Sequence, residues 1–166
     1  MTEQQIINAV IRMFPIRQHL CVPNVSWGMF SFEVDLVVVT KTGYMYEIEA
    51  KSSVADLRRD NKKRRHIWKS DTHIFRKKFF AMPELVWSKV AINGPVPPEC
   101  GVFVIKEATG AELKWQPHVK YNVCEIRPAT IDTQAKPASD SDLYQLARLG
   151  TLRYWSLRLK EQEKQP

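Results

Sequence analysis

Two apolar runs meet at a tight turn in the first third of the chain, and each carries carboxylates among its aliphatic residues. The first reads Glu33-Val34-Asp35-Leu36-Val37-Val38-Val39-Thr40 and the second Tyr44-Met45-Tyr46-Glu47-Ile48-Glu49-Ala50-Lys51, with Lys41-Thr42-Gly43 between them. Runs rich in Val, Ile and Tyr around a glycine predict an antiparallel hairpin over 31–40 and 44–51. Side chains alternate along a strand. Glu33, Asp35, Val37 and Val39 therefore share one face of the first run, and Met45, Glu47, Glu49 and Lys51 share one face of the second. All four acids and the lysine line one edge of a common sheet surface. An apolar strand does not put carboxylates on a packing face unless something compensates their charge. Crowded carboxylates raise each other's pKa, and a bound cation reverses this.

That arrangement suits phosphodiester hydrolysis. The reaction needs a cation on the phosphate oxygen, an oriented water, help for its deprotonation and stabilisation of the leaving oxygen. Mg²⁺ takes oxygen ligands, often one or two carboxylates with waters and substrate phosphate oxygens. Asp35 and Glu49, on neighbouring strands, are placed to hold it. Lys51, two residues beyond Glu49, brings an ammonium to the scissile phosphate or the attacking water. Glu47 and Glu33 share the face as supporting acids.

The charge distribution points to an anionic partner. Residues 58–78 hold ten Lys and Arg against two Asp, a net of +8, so the rest of this +7 chain carries only −1. Basicity gathered in one stretch is the signature of a polyanion-binding face. Arg58, Arg59, Lys62, Lys63, Arg64 and Arg65 are read as contacts to a nucleic-acid backbone, which give affinity without sequence information. The competing reading is a solvated helix face, but four consecutive cations, Lys62 to Arg65, repel one another.

A length of 166 residues suits one domain with a core. There is no long apolar run to span a membrane and no signal-peptide pattern at the N-terminus, so a cytoplasmic location is expected. Cys21, Cys100 and Cys124 are odd in number and far apart, and they read as reduced, buried thiols. A zinc site from His19, Cys21, His118 and Cys124 lacks ligand-like spacing.

Residues 2–14 predict an amphipathic helix with a Thr2–Gln5 capping box. Residues 16–27 read as loop, with Pro23 and Asn24 as breakers. A basic helix is expected over about 54–69, a strand over 73–81, a short helix over 84–90 and a buried strand over 101–105. One or two strands are expected in 107–125, and a final helix over about 141–160 with Leu143, Leu146, Leu149, Leu152 and Trp155 at helical spacing. Trp87, Trp115 and Trp155 read as core residues.

Asp35, thirteen intervening residues and then Glu49-Ala50-Lys51 resembles the PD-(D/E)XK nuclease superfamily, with its restriction-endonuclease-like fold. Glu33-x-Asp35, Gly43-Tyr44, Glu47-x-Glu49-x-Lys51-Ser52, Asp56-Leu57, Asp60 and Lys63-Arg64-Arg65-His66 are similar to the MmcB-like DNA-repair and phage nuclease branch. So are Met82-Pro83-Glu84-Leu85-Val86, Val96-Pro97-Pro98 and Gly101-Val102. The likeness covers roughly residues 25–106. It implies a single α/β domain over 1–166 with a central mixed four-stranded sheet flanked by helices. It also implies a Mg²⁺- or Mn²⁺-dependent deoxyribonuclease. In that family's pattern Asp35 and Glu49 ligate the metal, the Ala50 carbonyl adds a ligand and Lys51 is catalytic. Many members carry a further acid in the first helix, where Glu3 is the carboxylate available; its other reading is a helix-dipole acid. Val34 stands where the motif's proline would be. Some members of the superfamily have lost activity, so a non-catalytic DNA-binding accessory protein is the rival expectation.

Overall fold

The computed structural model describes residues 1–26, 28–30, 32–64, 73–92, 94–115 and 118–162, with the backbone alone for 60–64. The hairpin forms as expected. Strand β2 (Val34–Val39) pairs antiparallel with β3 (Met45–Ala50), with Leu36 opposite Ile48 and Val37 opposite Glu47. Gly43 supplies the turn in the left-handed region, at a φ of 82°.

This hairpin lies in a six-stranded mixed sheet, not the four-stranded sheet expected. The strands run in chain order across it: β1 (Leu20–Val25), β2, β3, β4 (Phe75–Pro83), β5 (Gly101–Glu107) and β6 (Tyr121–Arg127). The β3–β4 and β4–β5 pairs are parallel and the others antiparallel. Parallel neighbours need crossover connections, and α2 (Val54–Arg64) and α3 (Glu84–Trp87) lie in them. The two added strands are the sheet's edges. Residues 20–25, read as loop because of Pro23, form β1. An edge strand accepts proline because its missing N–H can face outward. Asn24 takes a positive φ of 50° there. The other edge, β6, follows a helix that was not expected, α4 (Gly110–Trp115).

Helix α1 (Glu3–Val10), continued by a 3₁₀ turn at Ile11–Met13, covers one face of the sheet. Its Ile6, Ile7 and Val10 pack with Leu36, Val38, Ile48, Phe79, Phe103 and Ile105. The opposite face holds two apolar clusters. Val37, Val39, Met45 and Phe75 pack with Leu146 of α5 (Asp140–Gln162). Phe80, Met82, Val102 and Val104 pack with Leu57 of α2 and Val86 of α3. Glu47 stands opposite Val37 and Glu49 opposite Phe80. These two acids therefore fall at the junction of the two clusters, on a face they share with Asp35, Lys51 and Lys78.

The leucine spacing in α5 overstates its buried stripe. Leu146 is buried and Leu143 and Leu149 pack partly against β1 and its neighbours, whereas Leu152 and Trp155 are exposed. Trp115 is also exposed, and Trp87 is partly buried. Among the described residues no helix is long and apolar enough to cross a membrane.

Gly101 is held by close approach and not by its backbone angles. A Cβ there would lie 2.3 Å from the Phe79 ring and 2.9 Å from the Ala129 nitrogen. Overpacking of this kind costs about 1–3 kcal/mol. Gly101→Ala is therefore expected to lower the melting temperature by several degrees in a circular-dichroism melt, with the secondary structure retained.

Candidate active site

Because β2 and β3 are antiparallel, the start of one and the end of the other meet at the same end of the sheet. The β2–β3 ladder ends there at Leu36 and Ile48. Beyond it the Ala50 N–H donates to Asp35 Oδ2 at 2.8 Å, so a carboxylate takes the place of a strand carbonyl. On the other side of β3, the Lys51 N–H donates to the Ala81 carbonyl of β4 at 2.9 Å. A strand residue directs its N–H and C=O to the same neighbour. The Ala50 carbonyl thus faces the β2 side, where Asp35 sits.

Glu49 and Lys51 form the second half of the site. Glu49 is 2% exposed and Lys51 6%, and Lys51 Nζ donates to Glu49 Oε2 at 3.1 Å. An exposed pair of this type contributes little. In a buried one, loss of either partner strands the other's charge in a poor solvent. Glu47 has a partner that the sequence reading missed: Lys78 of β4, whose Nζ lies 3.9 Å from Glu47 Oε2. Lys78 alternates with Phe80, which was the available hint that it faces the same way.

Glu33 is exposed just before β2. Its charge reaches Arg153 of α5, whose pKa is lowered by desolvation and raised in part by Glu33. The Arg153 guanidinium donates to the Asn24 carbonyl and so ties α5 to β1. Glu3 sits in the first turn of α1, surface-accessible but crowded by neighbouring atoms. That desolvation, and then the Asp35 charge, hold its carboxyl above the ordinary value, while Lys51 pulls it back. Glu3, Glu33, Asp35, Lys51 and Asp56 thus share one electrostatic neighbourhood at this end of the sheet.

The basic segment divides. Arg58 and Arg59 are exposed on α2, with Arg59 3.9 Å from Asp56. The side chains of Lys62, Lys63 and Arg64, and the whole of Arg65, lie outside the described residues. Farther along, Arg76 lies over the Tyr44 ring at 3.9 Å and Lys77 over Tyr46 at 5.7 Å. With Lys78 beside Glu47, three of the ten cations serve the sheet, so the +8 segment is not a single binding face.

The thiols are free. Cys100 is buried and Cys21 half-buried, but Cys124 is exposed, contrary to expectation. Burial pushes the Cys21 thiol up to about 11 and raises Cys100 as well.

Among the described residues, no group of three or more His, Cys, Asp or Glu side chains could by itself hold a metal. Mg²⁺ does not require one, since waters and substrate oxygens complete its shell. Asp35 Oδ1 makes no hydrogen bond among the described residues, while Oδ2 is engaged by Ala50. The Asp35 and Glu49 carboxylates and the Ala50 carbonyl are hard oxygens at one sheet end. That donor set fits Mg²⁺ or Mn²⁺.

No protein-family model matches this chain, and no curated protein matches it. Among solved structures, it is similar to one described as the SPO1766 protein of unknown function from Silicibacter pomeroyi. The TM-score is 0.59 at 18% identity, over 99% of this chain and 93% of that one. This likeness concerns the fold alone.

Proposed function

We propose that this protein is a metal-dependent DNA nuclease of the PD-(D/E)XK type. The observation that carries the reading is the convergence of Asp35, Glu49 and Lys51 at one sheet end, with a buried Lys51–Glu49 contact of 3.1 Å. Asp35, Glu49 and the Ala50 carbonyl would hold Mg²⁺ or Mn²⁺, which when bound polarises the phosphoryl oxygen and offsets charge on the leaving oxygen. Lys51 brings an ammonium to the same point, where it orients the scissile phosphate or the attacking water. Glu47 is neutralised by Lys78 and acts as support, and Glu3 and Glu33 add negative potential around the site. Arg58 and Arg59 of α2 hold the DNA backbone beside it, with Lys62, Lys63, Arg64 and Arg65 continuing the basic run. Hydrolysis adds water across one P–O bond, leaving phosphate on one fragment and a hydroxyl on the other. The resemblance directs this activity towards DNA repair, recombination or phage DNA metabolism. The test is incubation with supercoiled, linear and single-stranded DNA. Cleavage that requires Mg²⁺ or Mn²⁺ and stops with chelator is expected; no cleavage of any of the three counts against the reading.

A second reading has its own observation. Glu49 and Glu47 already have protein cations beside them, Lys51 and Lys78, so the buried acids are compensated without metal. On this reading the protein is a non-catalytic DNA-binding accessory factor. It predicts salt-sensitive DNA binding that needs no metal and survives Asp35→Ala. Calorimetric titration with Mg²⁺, on the native protein and on Glu49→Ala, separates the two: only the nuclease reading expects heat that the substitution removes.

A further inference from the structure

A cleft of about 410 Å³ opens between the start of α2 and α3, lined from Ser52, the residue after Lys51, onward. Its lining includes Ser53, Arg58, Leu85, Val86 and Lys89. Two cations face it and no carboxylate lines it among the described residues. Neither Arg58 nor Lys89 makes an ion pair among the described residues. The nearby acids are engaged elsewhere: Glu84 pairs with Lys106 at 2.6 Å and Asp56 lies 3.9 Å from Arg59. The Ser53 hydroxyl accepts the Asp56 N–H at 3.1 Å, which leaves its own O–H free to donate. The charge that attracts an anion is carried by Arg58 and Lys89. Between them the wall is apolar, and Leu85 is 69% exposed.

We infer that this cleft binds one unpaired nucleotide of the DNA strand, adjacent to the phosphate presented to Lys51. The assignment rests on the nuclease reading for its neighbour and adds Lys89 and Leu85 to the substrate contacts. A nucleotide is an anion joined to an apolar ring and sugar, and two cations around an exposed leucine complement both parts. The volume lies within the range of small-ligand sites, about 300–1,000 Å³, and suits one nucleotide. A strand end or single-stranded stretch fits, because stacked bases present only their edges to a protein. Arg58 and Lys89 hold the phosphate, and Leu85 with Val86 takes the sugar or base face.

The test measures fluorescence anisotropy of a labelled single-stranded oligonucleotide and of a blunt duplex, in chelator, over a salt series. It compares the native protein with Lys89→Ala and Leu85→Ser. Both side chains are exposed, so both variants should fold. Lys136→Ala, an exposed cation beside the Gly43 turn at the other end of the hairpin, controls for net charge. Lys89→Ala is expected to flatten the single-strand slope of log K against log salt by about 0.7, one phosphate contact. Leu85→Ser is expected to weaken single-strand binding several-fold and duplex binding much less. Native-like binding by both variants, in a protein that binds and cuts DNA, overturns the cleft assignment and leaves the nuclease reading standing. Equal losses on duplex and single strand overturn the unpaired nucleotide. Selective loss in a protein that cuts nothing with Mg²⁺ supports the cleft and overturns the nuclease. A native protein that binds no DNA in chelator overturns the cleft assignment, and cleavage in Mg²⁺ decides the nuclease reading separately.

Discussion

Lys51→Ala is expected to reduce metal-dependent DNA cleavage by about 10²–10³-fold, the usual effect of removing one preorganised charge from a transition-state site. It should also destabilise the protein in chelator. Glu49 is 2% exposed and Lys51 is its partner at 3.1 Å; breaking a buried pair from one side costs about 3–5 kcal/mol. For a chain of this size that corresponds to roughly 6–20 °C in melting temperature. Mg²⁺ should then raise the melting temperature of Lys51→Ala more than that of the native protein, because a cation at Glu49 restores the missing compensation. A cleavage assay checks the first statement, and a thermal-shift series in chelator and in Mg²⁺ checks the other two. Lys51→Met, which keeps the packing of the stem, separates the charge effect from a cavity.

Asp35 offers a cleaner separation of structure from chemistry. Its Oδ2 accepts the Ala50 N–H at 2.8 Å. Asp35→Asn can keep that hydrogen bond through its amide oxygen but loses the charge that holds a cation. Asp35→Ala loses both. The expected result is near-native stability with cleavage reduced at least 10²-fold for Asp35→Asn. Asp35→Ala should lose cleavage similarly and also about 1.5–3 kcal/mol of stability, the contribution of a hydrogen bond to a charged group. Urea unfolding beside a cleavage assay reads both. If Asp35→Asn cuts as fast as the native protein, Asp35 is only the cap of β3.

How far the sequence speaks for itself differs from element to element. The hairpin was legible because alternation and a turn glycine are local signals, and so was the α1 cap, where Thr2 and Gln5 make reciprocal hydrogen bonds. A second box of the same kind, Thr109 with Glu112, caps α4. Its signature was present in the sequence but was outweighed by an expectation of strands. Pro23 hid β1, since whether proline breaks a strand depends on whether that strand is at the edge, which is a tertiary fact. The leucines of α5 kept helical spacing beyond the sheet they pack on, so spacing alone placed Leu152 and Trp155 in a core that does not reach them.

The site divides in the same way. Asp35, Glu49 and Lys51 could be placed on one face by counting, because β2 and β3 are joined by a turn. The Glu47–Lys78 pair could not, because it depends on the parallel register of β3 on β4, set by a crossover. The cleft lined by Arg58 and Lys89 likewise joins two segments some thirty residues apart in the chain, brought together by that crossover. Charge counting also merged Arg76, Lys77 and Lys78 with the helix cations, although strand geometry turns them onto Tyr44, Tyr46 and Glu47.

The most direct measurement is the single-turnover rate at which the native protein and Lys51→Ala, purified side by side, cut supercoiled and single-stranded DNA in Mg²⁺ and in chelator. Cleavage by the native protein in Mg²⁺ alone, with the Lys51→Ala rate lower by about 10²-fold or more, is the predicted result. No cleavage by the native protein under any of these conditions, or equal rates for the two proteins, would contradict it.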